Sequence, residues 1–241
     1  MDSRFRVDLI AATPNPQQCV YAGMHQDYRE GFVAADRDAW PDATRAGEIC
    51  VKRLLSGERG HYGPLEHAQI VLNVGWFPHS VMQQARTHRV GVSFDVQSMR
   101  YTGERIARAA DGELDLEDVF YLRPVGDYSD RQGKKYTYSQ ALRSQDLQLC
   151  KQASERYRDL LRAGFAEEHA RGILPFDYRQ HFVVSFSLRA FLHFMDLRAK
   201  LDAQKEIREL CDLMWPHLQD WAPEFAAWYE KSRLHKARLA P

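Results

Sequence analysis

The segment "ARTHRVGVSFDVQSMRYTGER", residues 85–105, is the most informative part of the chain. It contains four arginines, one histidine, two serines and one tyrosine. Gly91 predicts a turn after a helix, and Ser93, Ser98 and Arg100 surround that turn. Hydroxyl and guanidinium groups bind phosphate oxygens, and arginine does so with two parallel hydrogen bonds. The segment is therefore either a solvated basic surface or a binding site for an anionic ligand.

The sequence on both sides of this segment predicts a mixed α/β (α+β) fold. Alternating or continuous apolar runs predict strands at residues 4–13, 67–76, 117–124 and 177–188. Apolar residues at helical spacing predict helices at residues 43–57, 77–89, 135–162, 189–218 (in two or more pieces) and from 223 into the basic tail that ends at 241. No repeat or low-complexity linker interrupts the chain, so we expect residues 1–241 to form a single domain.

Composition narrows the class of function. The 241 residues include 33 Lys and Arg and 33 Asp and Glu, so the formal net charge is zero. A nucleic-acid-binding protein usually carries a basic excess, and we therefore expect no nucleic-acid partner. The N-terminus lacks the layout of a signal peptide, and no apolar run has the length of a membrane span. These features predict a cytoplasmic protein without a membrane partner.

The cysteines and histidines do not predict a metal site. The four cysteines are scattered, without the spacing of metal ligands: Cys19, Cys50, Cys150 and Cys211. His61 and His67, in "ERGHYGPLEH" (58–67), are six positions apart, which fits neither a helical pair nor a common zinc spacing. A loop histidine that contacts a ligand is the more favoured interpretation of this motif.

Two further segments carry convergent charges, "EEHARGILP" (167–175) and "SLRAFLHFMDLRAKLDAQKEI" (187–207). Arg189 and His193 are four apart and share one face of a predicted helix, which continues to Arg198. The phenylalanines of the same helix are interpreted as core residues.

These clusters together resemble the flavin-dependent thymidylate synthases. The family signature RHRxxSxNxxSxR is similar to "THRVGVSFDVQSMRY", and "HYGPLEH", "ARGILP" and "LRAKLDAQKEI" are similar to further family segments in the same order. The resemblance runs from about residue 60 to residue 207. It implies a central sheet of antiparallel type with long helices, and a homotetramer with sites shared between subunits. The implied reaction methylates dUMP at C5, with methylenetetrahydrofolate as carbon donor and FAD reduced by NADPH.

The resemblance also implies roles for individual residues. The dUMP contacts are Gln84, Arg86, Thr87, Gln97, Ser98, Arg100, Arg171 and Arg198. The FAD contacts are His61, Gly63, His88, Arg89, Ser187, Arg189 and His193. Arg198 is the implied catalytic residue, at the uracil edge, and Arg171 the implied phosphate ligand. The first signature arginine falls on Thr87, with Arg86 beside it, and the sequence does not choose between them. Other departures from the family pattern are Asp95, Val96, Ser187, His193 and Asp202.

Three other functions fit the sequence less well. A thymidylate synthase with a catalytic cysteine needs a thiol in an electropositive, partly exposed site, whereas three of the cysteines lie on apolar faces of predicted helices. An RNA-binding module is disfavoured by the zero net charge. A simple flavin reductase has no evident use for a phosphate ligand such as Arg171.

Overall fold

The computed structural model describes residues 1–57, 60–130 and 132–236. The strands are β1 (Arg6–Ala12), β2 (Gln69–Pro78), β3 (Val92–Val96), β4 (Gly126–Ser129), β5 (Lys135–Tyr138) and β6 (Arg179–Ser187). The α-helices are α1 (Pro16–Gln26), α2 (Ala43–Cys50), α3 (His79–Ala85), α4 (Met99–Thr102), α5 (Glu104–Ala110), α6 (Leu116–Val119), α7 (Gln140–Arg162), α8 (Glu167–Ala170), α9 (Leu188–Arg198), α10 (Lys205–Trp221) and α11 (Pro223–Ser232). A π-helical turn follows α2 at Val51–Leu55, and 3₁₀ turns lie at Val33–Ala39, Gly63–Glu66 and Arg171–Ile173.

Four strands form one sheet in the order β1-β2-β6-β3, and β4 and β5 form a separate antiparallel hairpin. In the hairpin Gly126 lies opposite Tyr138, and Ser129 lies opposite Lys135. The mixed helix and sheet composition confirms the predicted fold class.

The chain divides into two compact units. The first unit comprises residues 1–5, 75–84 and 95–182, and the second comprises residues 6–74, 85–94 and those from 183 onward. Three strands, β2, β3 and β6, contribute residues to both units. Organisation as a single domain stays a prediction.

Each unit has its own apolar core. In the first unit, buried side chains of α4, α5, α6 and α7 pack together, with Ile106 and Tyr157 fully buried. In the second unit, Phe186 at the end of β6 packs against Phe191 and Phe194 of α9. The three phenylalanines are at most 1% exposed, which confirms that the aromatic residues of this helix belong to the core.

Side-chain caps set where several of the helices begin. The Ser187 hydroxyl accepts a hydrogen bond from the Ala190 amide and caps α9. Ser139 caps α7 by accepting from the Leu142 amide, and Asp42 caps α2 by accepting from the Arg45 amide. Such caps satisfy amides that the first helical turn leaves without a partner.

The structure confirms most predicted elements and contradicts one. Strands occupy three of the four predicted segments, but the strand predicted at 117–124 is wrong, because Asp115 caps the short helix α6 there. Phe120 makes only an isolated antiparallel bridge to Tyr178. The predicted helix 135–162 begins five residues late, since its first residues form β5. Helix 77–89 is shortened to α3, and the basic tail at 237–241 lies outside the described residues.

Candidate functional site

Arg198, the last residue of α9, is held by two neighbours from the segment after α3. Its Nε donates a hydrogen bond to His88 Nε2 at 3.0 Å, and its Nη2 donates to Thr87 Oγ1 at 2.9 Å. All three residues belong to the second unit. The guanidinium is planar with its donors in a fixed fork, so two bonds along one edge set the plane of the group.

His88 is a buried neutral base. Its side chain is buried, and its ring lies edge-on to His193 at 5.6 Å between centroids and tilted against Phe194 at 4.9 Å. Burial lowers the pKa of His88 to about 4, and the nearby charges of Arg198 and His193 contribute to the same shift. Since Nε2 accepts from Arg198, the proton of the neutral ring resides on Nδ1.

Glu66 joins three segments of the second unit. Its Oε2 accepts from the Ser187 hydroxyl at 2.5 Å, and its Oε1 pairs with Arg189 Nη1 at 3.3 Å. Gly91 approaches the same group, because a Cβ at this position would lie 2.5 Å from Ser187 Oγ and 2.9 Å from Glu66 Oε2. Its φ of +68° is also one that side-chain-bearing residues avoid. The turn predicted at Gly91 is thus confirmed, and only glycine fits it.

The remaining residues that the sequence assigns to FAD differ in exposure. His61 is exposed with Nε2 2.8 Å from Asp27 Oδ2. Gly63 opens a 3₁₀ turn, and a Cβ added at this glycine would meet no described atom within 4 Å. Arg89 is exposed and forms no ion pair among the described residues. The Nδ1 atom of His193 is buried and has no hydrogen-bond partner in the described part of the chain.

A cleft in the second unit lies beside these groups. Its lining combines aromatic, charged and aliphatic side chains: Leu55, Tyr62, Leu65, Arg189, Leu192, His193, Asp196, Trp228 and Arg233. The Arg189 guanidinium lies 5.9 Å from the centre of the Tyr62 ring. Asp196 is nearly fully buried and accepts from Tyr229 and Arg233, so the wall behind His193 is rigidly hydrogen-bonded.

The first unit holds most of the residues that the sequence assigns to dUMP. These are Gln84, Gln97, Ser98, Arg100 and Arg171, whereas Arg86, Thr87 and Arg198 lie in the second unit together with all of the FAD-assigned residues. Ser98 stands at the N-terminus of α4, and its hydroxyl has no hydrogen-bond partner among the described residues. Gln97 Oε1 is buried and likewise has none there.

Four of the assigned arginines are exposed: Arg86, Arg89, Arg100 and Arg171. No carboxylate of the described residues forms an ion pair with any of them. The guanidinium of Arg100 lies 5.6 Å from the ring of Tyr101, a contact that leaves its charge uncompensated. Arginines of this kind are suited to binding an anion.

Arg105, the last residue of the opening segment, has a structural role that the sequence did not reveal. It donates to the Arg179 carbonyl, its Nε is buried without a partner among the described residues, and burial lowers its pKa. Arg179 itself is fully buried, and donates to the carbonyls of Glu117 at 2.6 Å and Trp76 at 2.7 Å and to Asp2 Oδ2 at 2.5 Å. Glu66 was also missed, although it lies inside the motif "HYGPLEH".

The cysteines do not resemble nucleophiles. Burial raises the pKa of the Cys50 thiol to about 12 and that of Cys150 to about 11, and it raises the pKa of Cys19 and Cys211 as well. A catalytic thiol needs the opposite shift. In the described part of the chain no cluster of three or more His, Cys, Asp or Glu residues could hold a metal ion. No helix there has the length and apolarity needed to cross a membrane.

Known proteins that are similar in sequence to this chain are thymidylate synthases. A sequence model of the family described as "Thymidylate synthase complementing protein" matches residues 8–224. The flavin-dependent thymidylate synthase of Haloarcula marismortui is 34% identical over 98% of this chain and 99% of its own length. That of Halobacterium salinarum is 33% identical over 98% of this chain and its full length.

Two solved structures share the fold. Thymidylate synthase X from Helicobacter pylori, crystallised with FAD and dUMP, matches with a TM-score of 0.69 over 94% of this chain and 98% of its own, at 16% identity. The UMP/dUMP methylase PolB from Streptomyces cacaoi, crystallised with 5-Br dUMP, matches with a TM-score of 0.71 over 95% of this chain and 96% of its own, at 21% identity.

Proposed function

Since the chain belongs to the flavin-dependent thymidylate synthase family, we propose that it catalyses the reductive methylation of dUMP to dTMP. The observation that carries the proposal is the family match over residues 8–224. The methylene carbon of methylenetetrahydrofolate becomes bonded to uracil C5, which loses its proton, and one hydride completes the methyl group. The balance is dUMP + methylenetetrahydrofolate + NADPH + H⁺ → dTMP + tetrahydrofolate + NADP⁺.

The residues of the second unit fit FAD as the cofactor. Arg89 is exposed without an ion pair among the described residues, and Arg189 flanks a cleft that also contains the partnerless Nδ1 atom of His193. Arg89 supplies a cation for a phosphate group, Arg189 supplies donors although Glu66 compensates its charge, and a buried polar atom without a partner suits a ligand that supplies one. When bound, FAD supplies the hydride chemistry after reduction by NADPH.

Ser187 and His88 support this region from behind. Ser187 is fully buried, its hydroxyl is engaged by Glu66 and by the cap of α9, and His88 is engaged by Arg198. We assign both to the framework that holds Arg189 and Arg198 in place.

Arg198 is proposed as the catalytic residue. A cation placed at the uracil edge stabilises negative charge that develops on the ring, and so makes C5 more nucleophilic. His88 and Thr87 hold the guanidinium in one orientation before the substrate arrives. Preorganised donors of this kind need no reorientation during the reaction, which is why they stabilise a transition state more than water does.

Three further residues are proposed to contact the nucleotide phosphate and sugar. Arg171 and Arg100 are exposed arginines without ion pairs among the described residues, and Ser98 offers a hydroxyl that no described residue engages. An arginine can bind two phosphate oxygens at once, and a serine hydroxyl can donate to a third. A homotetramer with shared sites, the preference for NADPH and the cytoplasmic location stay predictions from the sequence.

Absorption spectroscopy tests the proposal. The purified protein, incubated with FAD and freed of excess cofactor, should show a flavin spectrum that NADPH bleaches in the absence of oxygen. Addition of dUMP and methylenetetrahydrofolate should restore the spectrum, and chromatography should detect dTMP in the same sample. A protein that binds FAD and recovers its spectrum without forming dTMP would be a reductase, and a protein that binds no FAD would contradict the proposal entirely.

A further inference from the structure

We propose that Thr87 is a positioning residue that orients Arg198, and that it does not bind the nucleotide itself. The inference rests on the proposed function, because it concerns the arginine assigned to the uracil edge. Thr87 is the residue on which the first signature arginine of the family falls. In this chain its hydroxyl accepts from Arg198 Nη2 at 2.9 Å.

Two acceptors are needed to fix a guanidinium. His88 Nε2 accepts from Nε at 3.0 Å, and this bond alone leaves the group able to tilt about the Nε–H direction. The second bond, from Nη2 to Thr87, removes that freedom. Threonine is suited to the task because its β-branched side chain has few rotamers and holds the hydroxyl in place.

The acceptors His88 Nε2 and Thr87 Oγ1 are both neutral groups. A carboxylate in place of Thr87 would bind the guanidinium more strongly but would also neutralise the charge that the uracil ring needs. A hydroxyl orients Arg198 and leaves its positive charge intact. The arrangement therefore fits a catalytic cation better than a structural one.

The sequence did not decide whether Arg86 or Thr87 takes the position of the first signature arginine, and the contacts of the two residues differ. Arg86 is exposed and forms no ion pair among the described residues, whereas the Thr87 hydroxyl is directed to Arg198. We assign the outward, ligand-binding function of the signature position to Arg86 and the inward, positioning function to Thr87. One family position is thus divided between two adjacent residues.

The test compares Thr87→Val, which keeps the shape and removes the acceptor, with Thr87→Ser, which keeps the hydroxyl. Turnover of dUMP by FAD-loaded enzyme should fall about tenfold to hundredfold in T87V, since small misplacements of a catalytic group have effects of this size. T87S should recover most of the loss. The dissociation constant of dUMP, titrated calorimetrically without folate, should change less than about threefold in both variants.

A double-mutant cycle tests whether Thr87 acts through Arg198. Arg198→Lys cannot form the two-bond edge, so T87V should have no additional effect on turnover in that background. Should T87V fold poorly by its melting temperature, Thr87→Ala removes the same hydroxyl with less bulk and is measured in its place.

Several outcomes would overturn the inference. A weakened dUMP affinity with unchanged turnover would make Thr87 a ligand, and equal losses in T87V and T87S would exclude the hydroxyl as the cause. Additive effects of T87V and R198K would mean that the two residues act separately. A wild-type protein that forms no dTMP contradicts the proposed function itself, whereas equal rates for wild type and T87V contradict only the role of Thr87.

Discussion

Arg179 in the first unit and Arg198 in the second are both removed from water to a large extent, but they have different partners. Arg179 is fully buried, and it donates to two backbone carbonyls and to the Asp2 carboxylate. Arg198 is half-buried, and it donates to a neutral imidazole and a hydroxyl. A carboxylate partner compensates the charge of an arginine, and neutral acceptors only orient it. The first arrangement stabilises a fold, and the second orients a guanidinium, as the catalytic role proposed for Arg198 requires.

The largest expected effect comes from breaking the structural arginine. Arg179→Met should lower the free energy of unfolding by about 3–5 kcal/mol, because it leaves the Asp2 carboxylate buried against an apolar group and two carbonyls without their donor. Urea denaturation measures the change. The matched control is Arg6→Met, which removes an exposed pair with Asp8 and should cost less than about 1 kcal/mol. Equal losses in the two variants would contradict the structural role of Arg179.

Arg198, which we propose as the catalytic residue, should show the opposite profile: a large loss of activity with little loss of stability. Arg198→Ala should reduce turnover by about 10²–10³, the usual effect of removing one preorganised donor, while the protein still binds FAD. Steady-state kinetics and the flavin spectrum check both expectations. Arg45→Ala, which removes an exposed arginine on α2 paired with Glu48, should leave turnover unchanged. Substantial activity in R198A would refute its catalytic assignment.

A pH titration tests the neutral anchor of Arg198. The pKa of His88 is lowered from 6.5 to about 4 in the folded protein, so the unfolded chain binds the proton first as the pH falls. Stability that is complete above pH 6.5 should therefore be lost between pH 6.5 and 4, by roughly 3 kcal/mol. Unfolding measured across this range should be less pH-dependent in His88→Gln. Parallel curves for the two proteins would mean that His88 is not held neutral.

The smallest effect is expected at the exposed arginines. Arg171→Ala should weaken dUMP binding about tenfold, which corresponds to one charge-assisted hydrogen bond between exposed groups. Calorimetric titration measures it, with Arg156→Ala on the exposed face of α7 as control. Unchanged affinity in R171A would remove the phosphate assignment.

The structure shows which parts of the sequence could be interpreted directly. The strands at 4–13 and 177–188 follow from alternating apolar residues, and the helix ending at Arg198 follows from its apolar face. The prediction for segment 117–124 was wrong because its apolar residues fit a strand equally well, and only the cap at Asp115 distinguishes a helix. The aspartate was visible in the sequence, but its side-chain bond to the Glu117 amide depends on backbone geometry.

In the candidate site, the sequence predicted one residue but not the contacts between distant segments. Arg198 could be singled out because it lies in "LRAKLDAQKEI", a segment that is continuous in the sequence. By contrast, the partners of Arg105 and Glu66 come from segments far away in the sequence: Arg105 contacts the carbonyl of Arg179, and Glu66 contacts Ser187 and Arg189. Such pairings are set by tertiary packing, which no local pattern of the sequence encodes.

The high pKa values of the cysteines have a consequence for inhibitor design. A thiol whose pKa is raised to about 12, as at Cys50, is almost fully protonated at neutral pH and reacts slowly with electrophiles. Cys150 and Cys211 are buried in the same way, and desolvation also raises the pKa of the half-buried Cys19. A nucleotide analogue that inactivates its target by capturing a cysteine thiolate would therefore lack a partner here. Compounds designed for this chain should therefore bind reversibly, with anionic groups aimed at the arginines proposed above to bind the nucleotide.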